Sequence, residues 1–283
     1  MISNNRYKFI DEAGKHLHTL DSKPLLGTTT VISETLQKGG LTYWASGMCA
    51  EKFGWLNPKK HTKEEVLRAA KKGLDHIANS YVNEIYGNEY KDWIKYLDEA
   101  YRAHNTKKEA RAVEGTDLHE LCSKWIDFVM SKPGYSIDFS IEPIGKWVDW
   151  CDKNVKRFLF SEIHCYSEQL WVGGGVDLAY ESMTGEYVLA DIKSRDKVYF
   201  SDFVQCGGYE QQLMENSGLD KDGNLVWDKS EIRKDSLGFD AHAIFGLGEN
   251  FKEPVISRET EKNRQAFEHC MNLHKLKRGF EEQ

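Results

Sequence analysis

The segment from residue 174 to residue 193 reads GGVDLAYESMTGEYVLADIK, and it decides the fold. In both halves of this segment apolar residues alternate with other residues, which is the period of a strand with one buried face. The four residues between the halves, SMTG at 182–185, are typical of a tight turn. The segment therefore predicts a β-hairpin.

The register of this hairpin follows from its turn, if Thr184 is taken as the centre. The paired positions are then Glu181 with Tyr187, Ala179 with Leu189, Asp177 with Asp191, and Gly175 with Lys193. Because side chains alternate between the faces of a strand, one face carries Gly175, Asp177, Asp191 and Lys193. The opposite face is apolar and is predicted to lie against the core: Val176, Leu178, Tyr180, Val188, Ala190 and Ile192.

The two facing aspartates predict a metal site. Carboxylates directly opposite each other across antiparallel strands repel, and a cation or a proton has to compensate them. Mg²⁺ suits a site made of two carboxylates, waters and a substrate phosphate. Lys193, on the same face, would hold an attacking water or stabilise charge on a phosphate. The alternative is a surface hairpin with exposed Asp and Lys side chains.

The rest of the chain predicts a mixed α/β fold in which a helical first third precedes the hairpin. Strands are predicted around Ala13-Gly14 (6–20) and at 162–172, 174–181, 186–193 and 240–247. Helices are predicted at 41–55, 62–82, 92–104, 107–130, 142–158, 200–215 and 258–277, with a loop at 216–238. The three central strands are consecutive, so we expect them to form an antiparallel meander.

Composition excludes several classes of protein. The net charge of −7 argues against a protein that coats nucleic acid non-specifically, although it does not exclude a local basic patch. No apolar run reaches signal-peptide or membrane-span length, so a soluble cytoplasmic protein is expected, in the host cytoplasm if the chain is viral. The cysteines, at 49, 122, 151, 165, 206 and 270, form no CxxC pair, so neither structural zinc nor an iron–sulfur cluster is expected.

Further candidates flank the hairpin. Gly115 and His119 share a helix face at i, i+4, and so do Gln205 and Tyr209 on the helix that follows Lys193. His119 would complete a metal site, whereas its alternative is a packed helical histidine. Glu168 is a third acidic candidate.

In chain order, the motifs GxxxH (from Gly115), GxxD (from Gly174), DxK (from Asp191) and QxxxY (from Gln205) resemble the RecB-like branch of the PD-(D/E)XK nuclease superfamily, to which phage exonucleases belong. The resemblance covers about residues 107–215. Val176 stands where the superfamily name has Pro. The cysteines of the iron–sulfur subfamilies are missing.

The resemblance implies a restriction-endonuclease-like core at 106–283 and a mostly helical region at 1–105 that helps form a DNA channel. It implies a deoxyribonuclease, specifically an exonuclease of phage or cellular DNA recombination, repair or processing, that uses one or two Mg²⁺ or Mn²⁺ ions. The implied metal ligands are His119, Asp177, Asp191 and the carbonyl of Ile192, and Lys193 is the catalytic lysine. The implied supporting or DNA-contacting residues are Gln205, Tyr209, Glu168, Ser194 and Arg195, and the implied channel residues are Trp44, Lys107, Lys108 and Arg111.

Two other functions stay open at this point. One is a nucleic-acid-binding module that keeps the fold without catalysis. The other is a metal-dependent hydrolase of a small phosphate ester. The sequence has no phosphate-binding GxxxxGK[ST] loop, which argues against a nucleoside triphosphatase within this class.

Overall fold

The chain forms two compact units. A computed structural model describes residues 6–12, 15–36, 41–56, 61–86, 99–100, 118–130, 142–232, 238–249 and 251–281. One unit comprises Met1–Gln37 together with Gly115–Gln283, and the other comprises Lys38–Glu114. This division differs from the predicted one at residue 105, because the first 37 residues belong with the C-terminal part of the chain.

Eleven described strands lie in the first unit. They are β1 (Tyr7–Glu12), β2 (Lys15–Leu20), β3 (Lys23–Pro24), β4 (Leu26–Gly27), β5 (Val155–Ser167), β6 (Val172–Ser182), β7 (Tyr187–Lys193), β8 (Gly218–Leu219), β9 (Leu225–Trp227), β10 (Ala241–Gly246) and β11 (Val255–Ser257). β1, β2 and β3 form a small antiparallel sheet. The other strands form a larger sheet in the order β11-β10-β7-β6-β5-β8-β9, with β4 added beside β6.

The larger sheet is mixed, as predicted. β5, β6 and β7 are consecutive antiparallel neighbours, so the predicted meander is confirmed. β10 runs parallel to β7, and β4 runs parallel to β6.

Helices cover both faces of this sheet. The described helices are α1 (Thr28–Thr35), α2 (Leu41–Lys52), α3 (Lys63–Tyr86), α4 (118–129), α5 (Glu142–Asn154), α6 (Phe200–Asn216) and α7 (Thr260–Glu281), with a short 3₁₀ helix at Lys229–Glu231. On one face Trp125 of α4 and Trp147 of α5 pack with Leu178 and Ile192 of the hairpin. On the other face Cys206 and Leu213 of α6 pack against the sheet, and α7 packs on α6. The fold is therefore α/β, with a mixed central sheet flanked by helices.

The second unit contains α2 and α3. Thr62 and Glu65 form a reciprocal pair of hydrogen bonds at the start of α3, in which the Thr62 N–H donates to Glu65 Oε2 at 2.7 Å. Gly73 of α3 allows the backbone at Phe53 to lie close to the helix, because a Cβ at position 73 would lie 2.3 Å from the Phe53 carbonyl oxygen. Within the described residues, no helix combines the length and apolar character that crossing a bilayer requires.

Two sequence predictions about secondary structure were wrong. The helix expected at 142–158 ends at Asn154, and β5 begins at Val155. Phe158 then pairs with Tyr180 of β6, and this strand pairing would be lost if the helix continued to residue 158. The loop expected at 216–238 contains the short strands β8 and β9.

Some predictions lie outside the described residues. They concern Gly115, the basic residues Lys107, Lys108 and Arg111, the side chain of Trp44, and most of the helix at 92–104. The helix predicted at 107–130 is described from residue 118 onward, as α4.

Candidate metal centre

The hairpin has the predicted register up to the aspartates. Ala179 pairs with Leu189 and Glu181 with Tyr187, and the ladder between β6 and β7 ends at Leu178 and Ala190. Beyond that pair β7 continues beside β10, while β6 continues beside β5. The two strands thus part where the aspartates lie, so the predicted pairs of Asp177 with Asp191 and of Gly175 with Lys193 are not part of the ladder. Instead, the Ile192 N–H donates to Asp177 Oδ2 at 2.6 Å.

The alternation of faces is inverted at this point of the sheet. Ser161 pairs with Leu178, and two residues further on Ile163 pairs with Val176. Leu178 lies in the core under α4 and α5, whereas Ile163 and Val176 lie in the core under α6. Glu162, between the two pairs, has a left-handed backbone conformation with φ at +49°. The prediction that Val176 shares a face with Leu178 was therefore wrong, since regular pleating was assumed.

The inversion directs Glu162 and Asp177 towards α4, which carries His119. His119 Nδ1 lies 3.4 Å from Asp177 Oδ1. One ligand atom from each of His119, Glu162 and Asp177 lies within 4.8 Å of the others. We call this group the three-residue cluster. An imidazole and two carboxylates converge there from a helix and two strands.

The charges within the cluster are only partly compensated. Glu162 is exposed at its surface, yet partial desolvation by the surrounding groups raises the pKa of its carboxyl to about 8, and the nearby Asp177 carboxylate adds to this rise. Burial lowers the pKa of His119, but Asp177 outweighs that effect and raises it to about 9. Burial opposes the charge of Asp177, yet His119 holds the pKa of Asp177 below its usual range. The raised pKa values of Glu162 and His119 favour their protonated forms, and a divalent cation would compete with these protons.

Asp191 and Lys193 lie on the α6 side of the sheet. Lys193 Nζ lies 2.5 Å from Asp191 Oδ2 and donates to Gln205 Oε1 at 3.2 Å. Gln205 Nε2 lies within donating distance of Asp191 Oδ1 (3.2 Å) and of the Tyr209 hydroxyl oxygen (2.7 Å). α6 therefore fixes the predicted catalytic pair, and Gln205 and Tyr209 lie at the site as the motif suggested.

The aspartates still influence each other electrostatically. Burial raises the pKa of Asp191 to about 6; Lys193 opposes this shift, and Asp177 adds to it. Burial lowers the pKa of Lys193, but the two aspartates more than reverse this and raise it. The lysine therefore stays charged across the physiological range.

The structure groups the predicted metal-ligand residues differently from the sequence prediction. His119 and Asp177 come together as predicted, but Glu162 rather than Asp191 is the third member of the tight group. Asp191 adjoins the cluster and is engaged by Lys193. Glu162 was missed, because no local sequence pattern indicates the left-handed backbone conformation that brings it to Asp177.

The remaining candidates occupy different surroundings. Glu168 is exposed, pairs with Arg6 at 2.8 Å and lies beyond the end of β5, so the structure does not bring this acidic candidate to the cluster. Ser194 is exposed directly after Lys193. Arg195 donates to both carboxylate oxygens of Asp202 at 2.7 Å and lies over the Tyr199 ring. Arg195 is thus anchored at the start of α6.

The three glycines at 173–175 have different surroundings. A Cβ on Gly173 would lie 2.7 Å from the His18 side chain, and one on Gly174 would lie 2.5 Å from the Tyr209 ring. Gly175 is exposed, and a Cβ there would meet only His164 Nδ1, at 3.8 Å. Two of the glycines therefore make room for side chains of the fold, and the third borders open space.

No protein-family model matches the chain, and no curated protein matches its sequence. The chemistry of the donor set therefore carries the functional argument. Carboxylate oxygens with one imidazole fit Mg²⁺ or Mn²⁺, which prefer oxygen-rich sites. A charged lysine beside such a site suits reactions that build negative charge on a phosphate.

Proposed function

We propose that the chain is a Mg²⁺- or Mn²⁺-dependent deoxyribonuclease of the PD-(D/E)XK type, which hydrolyses phosphodiester bonds in DNA. The observation that carries the proposal is the three-residue cluster adjoining the Asp191–Lys193 pair where β6 and β7 part. The mixed sheet with its antiparallel meander agrees with a restriction-endonuclease-like core. The motif order in the sequence adds support, and so does the position of Gln205 and Tyr209 beside the pair.

The residues that would hold the metal are those of the three-residue cluster, with Asp191 and the Ile192 carbonyl as further oxygen ligands. A bound divalent ion supplies a Lewis acid and a water of lowered pKa. The like charges of Glu162 and Asp177 fit such an ion, because it relieves the repulsion that otherwise keeps Glu162 protonated.

The chain's own contribution to hydrolysis centres on Lys193. Water adds to phosphorus, the P–O bond to the leaving nucleotide breaks, and the departing oxygen takes a proton. The Lys193 ammonium stabilises the negative charge that grows on the phosphate oxygens. Gln205 holds both Lys193 and Asp191 in position, and Tyr209 fixes the Gln205 amide.

The test is Mn²⁺-dependent cleavage of end-labelled DNA by the wild-type chain and by Lys193→Ala and Asp191→Asn. Each variant should lose roughly 10²-fold or more in cleavage rate, the scale of removing one preorganised electrostatic group. Glu168→Gln is the matched control, because it removes a carboxylate that lies elsewhere, and it should cleave as the wild type does. EDTA should abolish all cleavage.

Two results would overturn the proposal. One is near-normal cleavage by either site variant. The other is DNA binding by the wild-type chain with no Mn²⁺-dependent cleavage, which would identify a binding module instead. Closed circular DNA run beside linear DNA separates endonucleolytic from exonucleolytic action, and the exonuclease we propose should leave the circle intact. A simple phosphate monoester serves as the probe for a small-ester hydrolase.

A further inference from the structure

A row of rings begins beside the three-residue cluster. His164 and Gly175 pair on β5 and β6, two residues along from Glu162 and Asp177 and directly after the pair of Ile163 with Val176. The His164 ring stacks on Phe9 of β1 with centroids 4.2 Å apart and an interplanar angle of 25°. Phe9 in turn stacks on His16 of β2 at 5.7 Å and 10°. The rings therefore lead from the cluster to the exposed His16 side chain on the β1–β2 hairpin.

Gly175 lies on the same side of the sheet as these rings. Its neighbours Gly174 and Val176 face α6, so Gly175 faces the side of Asp177. It does not have a positive φ, so its backbone conformation does not require glycine. No close packing requires it either, since a Cβ there would meet one atom at 3.8 Å. The bare backbone at this position leaves accessible space between Asp177 and the ring pair.

His164 supplies an unused polar atom at the border of that space. Its Nδ1 is buried and has no hydrogen-bond partner among the described residues. A buried acceptor or donor without a partner costs free energy, and such groups are usually satisfied. This is the atom nearest to the position of a Cβ on Gly175.

We propose that Gly175 and the His164 ring, which Phe9 supports from behind, form a subsite for an unpaired nucleobase of the nucleotide next to the hydrolysed bond. The inference rests on the proposed nuclease function and narrows its substrate to a single strand or an unpaired DNA end. Every base offers a π-face that stacks on an aromatic ring. Bases within a duplex already have both faces covered by their neighbours, so only an unpaired base can use this subsite. The missing side chain at Gly175 lets the nucleotide approach the backbone between the rings and Asp177.

The experiment measures binding of a fluorescent oligothymidylate and of a blunt duplex of equal length, both in EDTA so that no hydrolysis is involved. His164→Leu removes the ring that packs on Phe9 of the β1–β2 hairpin but keeps apolar bulk, and Gly175→Val fills the open space. Each should weaken single-strand binding about tenfold, within the range for losing one base–aromatic stack, and duplex binding much less. Ile10→Ala and Leu17→Ala are matched controls in the same hairpin and should bind as the wild type does, because both side chains are exposed.

Unchanged single-strand binding by Gly175→Val, with a melting temperature near that of the wild type, would overturn the subsite. An equal loss on single strands and duplex would overturn it as well. If His164→Leu fails to fold, Gly175→Val decides alone, because its site is exposed and open. The cleavage assay tests the nuclease function separately from the subsite. Normal metal-dependent cleavage without these binding effects would contradict the subsite alone. Selective single-strand binding without cleavage would contradict only the proposed hydrolysis.

Discussion

Two groups of buried or partly buried acids in this molecule differ in how their charge is compensated. Glu210 of α6 is fully buried, and donors surround it: the Phe239 N–H at 2.8 Å, Arg264 Nη1 at 2.6 Å and His242 Nε2 at 2.9 Å. Asn263 Nδ2 donates to the other ring nitrogen of His242, which orients the histidine. This group is complete within the chain.

Among the described residues, the three-residue cluster has fewer donors, since only His119 and the Ile192 N–H approach its carboxylates. Glu162 and Asp177 share one imidazole, and each carboxylate disfavours the charge of the other. A structural network saturates its acceptors, whereas a site that receives a cation keeps acceptors that only the cation can satisfy. The two groups therefore differ in how far donors from the described residues satisfy their acceptors.

The largest effect should come from breaking the complete group. Glu210→Ala leaves the Arg264 and His242 side chains without their buried partner, which costs about 3–5 kcal/mol of unfolding free energy. Urea denaturation in EDTA measures it. Glu268→Gln, which loses only an exposed contact with Gln211, is the control and should unfold near the wild-type midpoint. If the two variants unfolded alike, the Glu210 group would not be the structural network described above.

A smaller change in stability should come from binding of Mn²⁺ at the three-residue cluster. Mn²⁺ at about 100 times its dissociation constant should stabilise the wild-type chain by about 2.7 kcal/mol, since it binds only the folded state. Glu162→Gln and Asp177→Asn should lose most of this increment, which differential scanning fluorimetry with and without Mn²⁺ reports. Glu168→Gln should keep it. An undiminished Mn²⁺ increment in both cluster variants would place the ion elsewhere.

The smallest effect should appear in the pH dependence of stability without metal. The pKa of Glu162 is raised from 4.5 to about 8, so the folded state binds more protons than the unfolded state between these values. Stability should therefore fall as the pH rises through this window. The His119 pKa, raised to about 9, acts in the same direction, because its contribution is complete below pH 6.5 and lost as the pH rises through 9.

Glu162→Gln should reduce the difference in unfolding free energy between pH 5 and pH 8 by on the order of 1 kcal/mol. The effect is small because solvent screens the exposed residue. Unfolding free energies in EDTA at pH 5 and pH 8 measure it. A slope as steep as that of the wild type would mean that Glu162 is ionised throughout.

The sequence sufficed for the hairpin and for the elements near it. Turn chemistry and alternation are local properties, and they determined the pairing of Ala179 with Leu189. The helix that carries Gln205 and Tyr209 was likewise readable from its spacing. These parts of the candidate site depend on residues less than 35 positions apart.

The parts that could not be predicted depend on departures from regular geometry. Glu162 reaches the cluster because its backbone enters the left-handed region, which a rule of strict alternation does not include. In the sequence Glu168 was an acidic candidate on the same predicted strand as Glu162, but in the structure it lies past the end of β5, beside Arg6. The parallel pairing of Leu26 with Val172 joins residues far apart in the chain, and a strand of two residues leaves no periodic signal.

The division into two units has a consequence for how they are connected along the chain. Lys38–Glu114 departs from the other unit after Gln37 and returns to it at Gly115, so this stretch is an insertion with two covalent tethers rather than an appended terminal domain. Insertions of this kind can be exchanged or shortened when the host fold is closed without them. Here β4 and α1, which precede the insertion, already pack on the host sheet and on α6 and α7. The host unit is therefore assembled from two stretches of chain that lie on either side of the insertion in the sequence.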